Sequence, residues 1–146
     1  RTTGIPHEDG ERALPANALG VHVASASGVE QVTRRLAARV GMPAVLGCFS
    51  RLLIDPNRGE DDPTLIVGLS DGAVIPGNHP LGAGERRHRL DAFHRPYHNA
   101  IAATIDAVTR SAGQPPVVIS IHSFTPLWKG LPRPWHAAIL WDKDPR

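Results

Sequence analysis

Cysteine is nearly absent from this chain of 146 residues, in which Cys48 is the single thiol. A lone cysteine cannot build a disulfide framework or a thiolate zinc finger, which favours a reducing compartment. No apolar run approaches the ~20 residues that a membrane span needs. The first residues also lack the basic-then-apolar pattern of a signal peptide. We therefore expect a cytoplasmic protein.

A large excess of charge is also missing, because the formal net charge is only +2. The arginines at 34–39 and 86–89 belong to two helical patterns, without the aromatic interleaving of a nucleic-acid surface. We interpret both groups as solvated helix faces and expect neither a nucleic-acid nor a membrane partner. The 41% of hydrophobic residues indicates a globular protein, and the length suits a single domain, 1–146, with its own core.

A β-branched apolar run over residues 116–122 follows two prolines and ends at His122. A short run of this kind predicts a buried strand, most often a central strand of an α/β sheet. Open α/β sheets bind ligands beyond the carboxyl ends of their strands. His122 is therefore a candidate metal ligand, and a hydrogen-bonded histidine in a strand-end turn is the alternative.

Two stretches have helical periodicity. The first covers about 28–40 and begins with Ser27 and Glu30, which are spaced as a capping box. The second covers about 83–111, and Pro96 should kink it or start a new helix. Its apolar positions recur at three and four and should face a sheet; they are Leu90, Phe93, Tyr97, Ile101, Ile105 and Val108.

Further strands are predicted near 43–49, 51–55 and 136–141. Together with the two helical patterns, these predict an α/β fold in which helices cover both faces of a mixed sheet. His94 and His98 stand four apart, but the residues between them lack the glutamate of a His-Glu-x-x-His zinc motif. We expect His94 at the surface and His98 as a partly buried hydrogen-bonding residue.

Arg51, Asn57 and Arg58 flank the short apolar run Leu52-Leu53-Ile54. The planar guanidinium group suits bidentate binding of a carboxylate, and asparagine adds a neutral donor. These three residues are therefore candidates for a substrate-carboxylate site. The alternative is an internal salt bridge in which Arg51 or Arg58 holds Asp55.

Several segments resemble the N-formylglutamate amidohydrolase family and occur in its order, from about residue 14 onward. The segments are Ser50-Arg51-Leu52-Leu53-Ile54-Asp55-Pro56-Asn57-Arg58, Ser70-Asp71-Gly72 with Ile75-Pro76-Gly77-Asn78, Pro96-Tyr97-His98, Ser120-Ile121-His122-Ser123-Phe124-Thr125-Pro126, and Arg133-Pro134-Trp135-His136.

The resemblance implies a zinc-dependent amide hydrolase that removes a formyl or other acyl group from an acidic amino acid, as in histidine degradation. It also implies a three-layer α/β sandwich similar to the zinc exopeptidases and the phosphorylase/hydrolase fold. His122 would be a Zn²⁺ ligand, and Arg51, Asn57 and Arg58 would hold a carboxylate of the N-acyl amino acid. Zinc would lower the pKa of a water molecule and polarise the amide carbonyl.

The sequence departs from the family at Ser25-Ala26, where members usually carry Trp-Asp. Ala26 cannot coordinate a metal, and Glu30 is a possible substitute. We also expect that the chain lacks the family's N-terminal strand, with its first zinc-binding histidine, and the C-terminal acidic segment, with its general base. A non-catalytic relative that keeps a carboxylate-binding groove is therefore the alternative function. The oligomeric state is open.

Overall fold

The computed structural model describes residues 27–70, 72–128 and 130–140. Helix α1, Ser27–Val40, confirms the first predicted helix. Glu30 accepts a hydrogen bond from Arg34 Nε at 2.8 Å, one turn further along. The apolar stripe of α1 is largely open to solvent, since Val32 is 54% and Val40 is 56% exposed. The segment 21–26 before α1, with Ala26, lies outside the described residues.

The second helical pattern is one continuous run with an irregular turn inside it. Helix α2 covers Ala83–Arg89, a π-helical turn covers Leu90–His94, and helix α3 covers Arg95–Ala112. Pro96 explains the widened turn, because proline has no N–H to donate and its ring clashes with the carbonyl of residue i−4. The predicted disturbance near Pro96 is confirmed. Gly113 ends α3 with a φ of 73°, a left-handed value that glycine adopts without strain.

Strand pairing among the described residues is confined to two short antiparallel hairpins. Strand β1, Leu69–Ser70, pairs with β2, Ala73–Val74, with Leu69 opposite Val74. Strand β3, Leu127–Trp128, pairs with β4, Leu131–Pro132, with Leu127 opposite Pro132. A 3-10 helix, Pro76–Asn78, follows β2 and leads toward α2. Helices with small sheets are compatible with the α/β class, and the three-layer sandwich stays a prediction.

The long predicted strands are not found in the described chain. Residues 43–49, 116–122 and 136–140 form no hydrogen-bonded ladder there. Val117, Val118 and Ile119 are 61–69% exposed, so the prediction of a buried central strand over 116–122 is wrong in this structure. A β-branched run becomes a strand only where a neighbouring backbone supplies hydrogen bonds, and strand propensity depends strongly on that context.

Leu52, Leu53 and Ile54 are buried as predicted, but residues 51–55 form a turn and not a strand. The amide of Leu52 donates to Ser50 Oγ at 3.0 Å, and the amide of Leu53 donates to the Ser50 carbonyl at 2.9 Å. This turn places apolar side chains in the main core, which contains Leu53, Ile54, Leu65, Leu90 and Phe93, with Phe49 and Ile66 packed against it. The core therefore joins the 51–55 segment to the π-helical turn.

Candidate functional site

Residues 51–58 form a turn, here called the 51–58 turn, that is organised around the buried carboxylate of Asp55. Asp55 Oδ1 accepts a hydrogen bond from the Asn57 amide at 2.9 Å, and the Asp55 carbonyl accepts one from the Arg58 amide at 3.1 Å. The Asp55 amide donates to the Leu65 carbonyl at 2.8 Å. An aspartate that bonds to the backbone two residues on fixes a local turn. The backbone at Asn57 and Arg58 is therefore well defined.

The structure brings the three predicted carboxylate-binding residues together on this turn. Arg51 lies 3.4 Å from Asp55 Oδ2, so the predicted salt-bridge alternative is found for Arg51. The guanidinium of Arg58 lies 3.9 Å from Asp62 and not beside Asp55. The side chains of Arg51 and Arg58 remain 65% and 47% exposed, and Asn57 is exposed as well. All three can therefore meet a ligand from solvent.

Asp62 is held as a carboxylate beside Arg58. The hydroxyl and the amide of Thr64 donate to Asp62 Oδ1 at 2.5 and 2.7 Å. These hydrogen bonds, together with the more distant charge of Arg58, hold the pKa of Asp62 below its ordinary value. A contact of 3.9 Å between exposed groups contributes little to folding. Arg58 could therefore exchange Asp62 for another carboxylate at small cost.

Two buried polar residues, Asn78 and Arg89, hold the 51–58 turn through hydrogen bonds to its backbone carbonyls. Asn78 Nδ2 donates to the carbonyls of Leu52 and Val67 at 2.7 and 2.8 Å. Arg89 Nη1 donates to the Leu53 carbonyl at 2.9 Å, and Nη2 donates to the Gly77 carbonyl at 3.0 Å. Buried carbonyl groups need such partners because burial without a hydrogen bond is costly.

His94 and His98 also bind the 51–58 turn. His94 is only 4% exposed and its Nε2 lies 2.9 Å from the Arg58 carbonyl, so the prediction of a surface position is wrong. His98 Nε2 lies 3.1 Å from the Pro56 carbonyl, which confirms its hydrogen-bonding role, although its side chain is exposed. The two rings are 4.3 Å apart. Both histidines thus lie against the part of the turn that carries Asn57 and Arg58.

An ion pair between Glu60 and Arg95 lies next to this turn. Arg95 donates to Glu60 through Nε at 2.9 Å and Nη2 at 2.7 Å, in a bidentate arrangement. The bonds from Arg95 hold the pKa of Glu60 below its ordinary value, and the same pairing raises the pKa of Arg95. Burial raises the pKa of nearby Tyr97, whose ring meets Phe49 edge-on at 6.1 Å.

His122 is exposed in a segment without regular secondary structure, and no hydrogen bond or ion pair joins it to another described residue. In residues 27–70, 72–128 and 130–140, no three histidine, cysteine, aspartate or glutamate side chains lie close enough to share a metal ion. The described donors alone therefore do not form a zinc centre. The common cleft of His122 and the 51–58 turn stays a prediction.

Sequence reasoning missed Asn78, Arg89 and His94. The interpretation of Arg89 as part of a solvated face is wrong, because its side chain is only 6% exposed. Its spacing of four from Phe93 was an available signal, because residues four apart share one helix face. The same spacing relates His94 to Leu90. Asn78 entered only as a member of the family segment Ile75-Pro76-Gly77-Asn78, which assigns it no contact, and its acceptors lie 11 and 26 residues away.

None of the described helices is long and apolar enough to cross a membrane.

Comparisons with known proteins identify the same family that the sequence segments resemble. The profile of the family described as N-formylglutamate amidohydrolase matches residues 2–142. A crystal structure of a gene product from Agrobacterium tumefaciens is similar with a TM-score of 0.66 and 30% sequence identity. That similarity covers 88% of this chain, and the chain spans about half, 51%, of the Agrobacterium protein. No curated protein matches the chain significantly.

Proposed function

Because the chain belongs to the N-formylglutamate amidohydrolase family, we propose that it forms part of a hydrolase that cleaves the amide bond between an acyl group and an amino acid. The substrate is a small N-acyl amino acid with a carboxylate, such as N-formylglutamate. The observation that carries the proposal is the 51–58 turn, whose backbone is fixed while Arg58 and Asn57 face solvent.

The charge and geometry of the turn suit a carboxylate. Arg58 offers a planar fork of donors, and Asp62, the carboxylate paired with it in the described part of the chain, is too distant for a hydrogen bond. Asn57 can add a neutral donor beside it. Arg51 is already paired with Asp55 at 3.4 Å, so it would act by strengthening the local positive charge or by exchanging partners. Arg58 is therefore the primary carboxylate-binding residue of the proposal.

Zinc is part of the proposal on the strength of the family, with His122 as one ligand. When bound, zinc would supply an activated water molecule and a Lewis acid for the amide carbonyl. At least one further ligand would have to come from outside the described residues, since these contain no group of three suitable donors. Ala26, which stands where the resemblance places an aspartate, favours the alternative of a non-catalytic relative with a carboxylate-binding groove.

Formate release from N-formylglutamate by the full-length natural protein, supplied with zinc, tests the proposal. The matched comparison is the diamide of the same compound, which keeps the formyl group and lacks both carboxylates. We expect release from N-formylglutamate and little from the diamide. Equal release from both would contradict carboxylate recognition. Binding of N-formylglutamate without any release would favour the non-catalytic alternative.

A further inference from the structure

His94 contacts the proposed carboxylate-binding residue through its backbone. The Nε2 atom of this buried histidine lies 2.9 Å from the Arg58 carbonyl oxygen. A carbonyl oxygen can only accept a hydrogen bond, so Nε2 must carry the hydrogen and donate it. His94 Nδ1 is buried without a partner among the described residues, which leaves the Arg58 carbonyl as the polar contact that orients the ring.

The position of Arg58 depends on its backbone more than on its side chain. Its guanidinium is 47% exposed and lies 3.9 Å from the only acidic group paired with it in the described chain, Asp62. Its amide donates to the Asp55 carbonyl at 3.1 Å, and its carbonyl accepts from His94. The two backbone bonds on either side of its Cα therefore set the direction in which the side chain leaves the turn.

The helical run explains how a histidine reaches this carbonyl. His94 is the last residue of the π-helical turn, Leu90–His94, which also places Leu90 and Phe93 in the core. A π-helical turn contains an additional residue relative to an α-helical one and so shifts the faces of the residues that follow. His94 thereby lies on rigid structure that is anchored by the core, 36 residues from its acceptor.

We propose that His94 is a positioning residue for carboxylate recognition. By donating Nε2–H to the Arg58 carbonyl, it holds the Arg58 backbone so that the guanidinium projects toward the carboxylate of the ligand. This inference rests on the proposed function for its ligand, and its structural part concerns only the His94–Arg58 contact. Loss of the donor leaves the partly buried Arg58 carbonyl without its protein partner, which favours movement of the turn.

Two isosteric substitutions separate the hydrogen bond from the bulk and polarity of the histidine. In His94→Gln, the side-chain amide nitrogen takes about the place of Nε2 and can still donate to Arg58. In His94→Asn, the amide nitrogen takes about the place of Nδ1 and cannot reach it. His98→Asn serves as the control, because it removes the corresponding donor at the neighbouring contact with Pro56, which is exposed and which water can replace.

The first measurement is hydrogen exchange of the Arg58 amide in the full-length natural protein, which needs no ligand. We expect His94→Asn to accelerate this exchange by at least about tenfold. His94→Gln and His98→Asn should leave it within about threefold of the wild type. Unchanged exchange in His94→Asn, or equal acceleration in the Asn and Gln variants, would overturn the proposal.

The second measurement is the dissociation constant for N-formylglutamate in a double-mutant cycle with Arg58→Ala. His94→Asn should weaken binding about tenfold in the wild-type background and hardly at all when Arg58 is alanine. Equal weakening in both backgrounds would show that His94 does not act through Arg58. If the wild-type protein does not bind N-formylglutamate, the proposed function and the recognition role fail together, whereas the Arg58 exchange still decides whether His94 fixes the backbone.

Discussion

Arg89 Nη1 donates a hydrogen bond to Asn78 Oδ1 at 2.6 Å, and both side chains are almost completely buried. Each also bonds to carbonyl groups of the 51–58 turn, Asn78 to Leu52 and Arg89 to Leu53. Arg89 Nε donates to Glu85 at 2.7 Å, which supplies a counter-charge at the edge of the network. The candidate site therefore rests on a buried polar network as well as on an apolar core.

Removal of Arg89 should be strongly destabilising. Arg89→Ala leaves the Leu53 and Gly77 carbonyls and Asn78 Oδ1 without their donor, so we expect a loss of about 3–5 kcal/mol in the free energy of unfolding. Arg89→Lys should recover little, because an ammonium group cannot reproduce the planar fork. Urea unfolding measures the effect.

Arg87→Ala is the matched control for Arg89, because Arg87 is an exposed arginine of the same helix, α2. It should change the free energy of unfolding by no more than about 0.5 kcal/mol. A similar small effect for Arg89→Ala would show that the buried network does not stabilise the fold.

Arg58→Ala should weaken binding of N-formylglutamate by about 2–4 kcal/mol, roughly 30- to 1,000-fold, because one charged contact in the site is lost. Arg58→Lys should recover little of this. The melting temperature should hardly change, since the ion pair that Arg58 forms among the described residues is exposed and long. Titration calorimetry and thermal melts of one preparation measure both quantities.

Arg34→Ala provides the control for Arg58, since Arg34 forms an exposed ion pair on α1, outside the 51–58 turn. It should alter neither affinity nor melting temperature appreciably. A clear fall in melting temperature for Arg58→Ala, with unchanged affinity per folded molecule, would remove Arg58 from the site and assign it a structural role.

His122→Ala should lower the zinc content of the full-length natural protein below one per chain and abolish formate release. A metal loses affinity sharply when one of its few protein ligands is removed. Folding should be preserved, because His122 is exposed. Elemental analysis, far-ultraviolet circular dichroism and the formate assay measure these outcomes. His136→Ala, at another exposed histidine, is the control, and full zinc with full activity in His122→Ala would exclude this ligand.

The Glu60–Arg95 pair predicts a dependence of stability on pH. The pKa of Glu60 is held below its ordinary value of 4.5, chiefly by its hydrogen bonds from Arg95. Because the pKa of Glu60 is lower in the folded protein, the pair stabilises the fold fully above pH 4.5. This stabilisation is lost as the pH falls through the pKa of Glu60 in the folded state. Arg95→Met should therefore reduce stability at pH 7, and the difference from wild type should shrink on acidification.

A titration of the Glu60 side chain by NMR checks the cause directly. The pKa of Glu60 should rise toward its ordinary value in Arg95→Met and stay unchanged in Arg35→Met, at an exposed arginine of α1. High salt should weaken the pairing, since both partners are partly open to solvent. A stability difference between Arg95→Met and wild type that does not depend on pH would contradict this account.

Local patterns in the sequence determined the helices and the family. The α1 boundaries follow from a helical apolar stripe that ends at Gly41, and the irregular turn before α3 follows from the chemistry of Pro96. The family was predicted from five motifs in order, and the match over residues 2–142 confirms the family. These features depend on neighbouring residues, which the sequence displays directly.

Only the tertiary structure decided which polar residues are buried and which apolar runs form strands. Leu52-Leu53-Ile54 became a buried turn because Ser50 accepts its amides, whereas Val117-Val118-Ile119 stayed exposed without a ladder in the described chain. His94 and Arg89 are buried against a distant part of the chain. Their acceptors, the carbonyls of Arg58 and Leu53, each lie 36 residues earlier in the sequence. Periodicity shows which face of a helix a residue occupies, but it does not show which distant backbone group will meet that face.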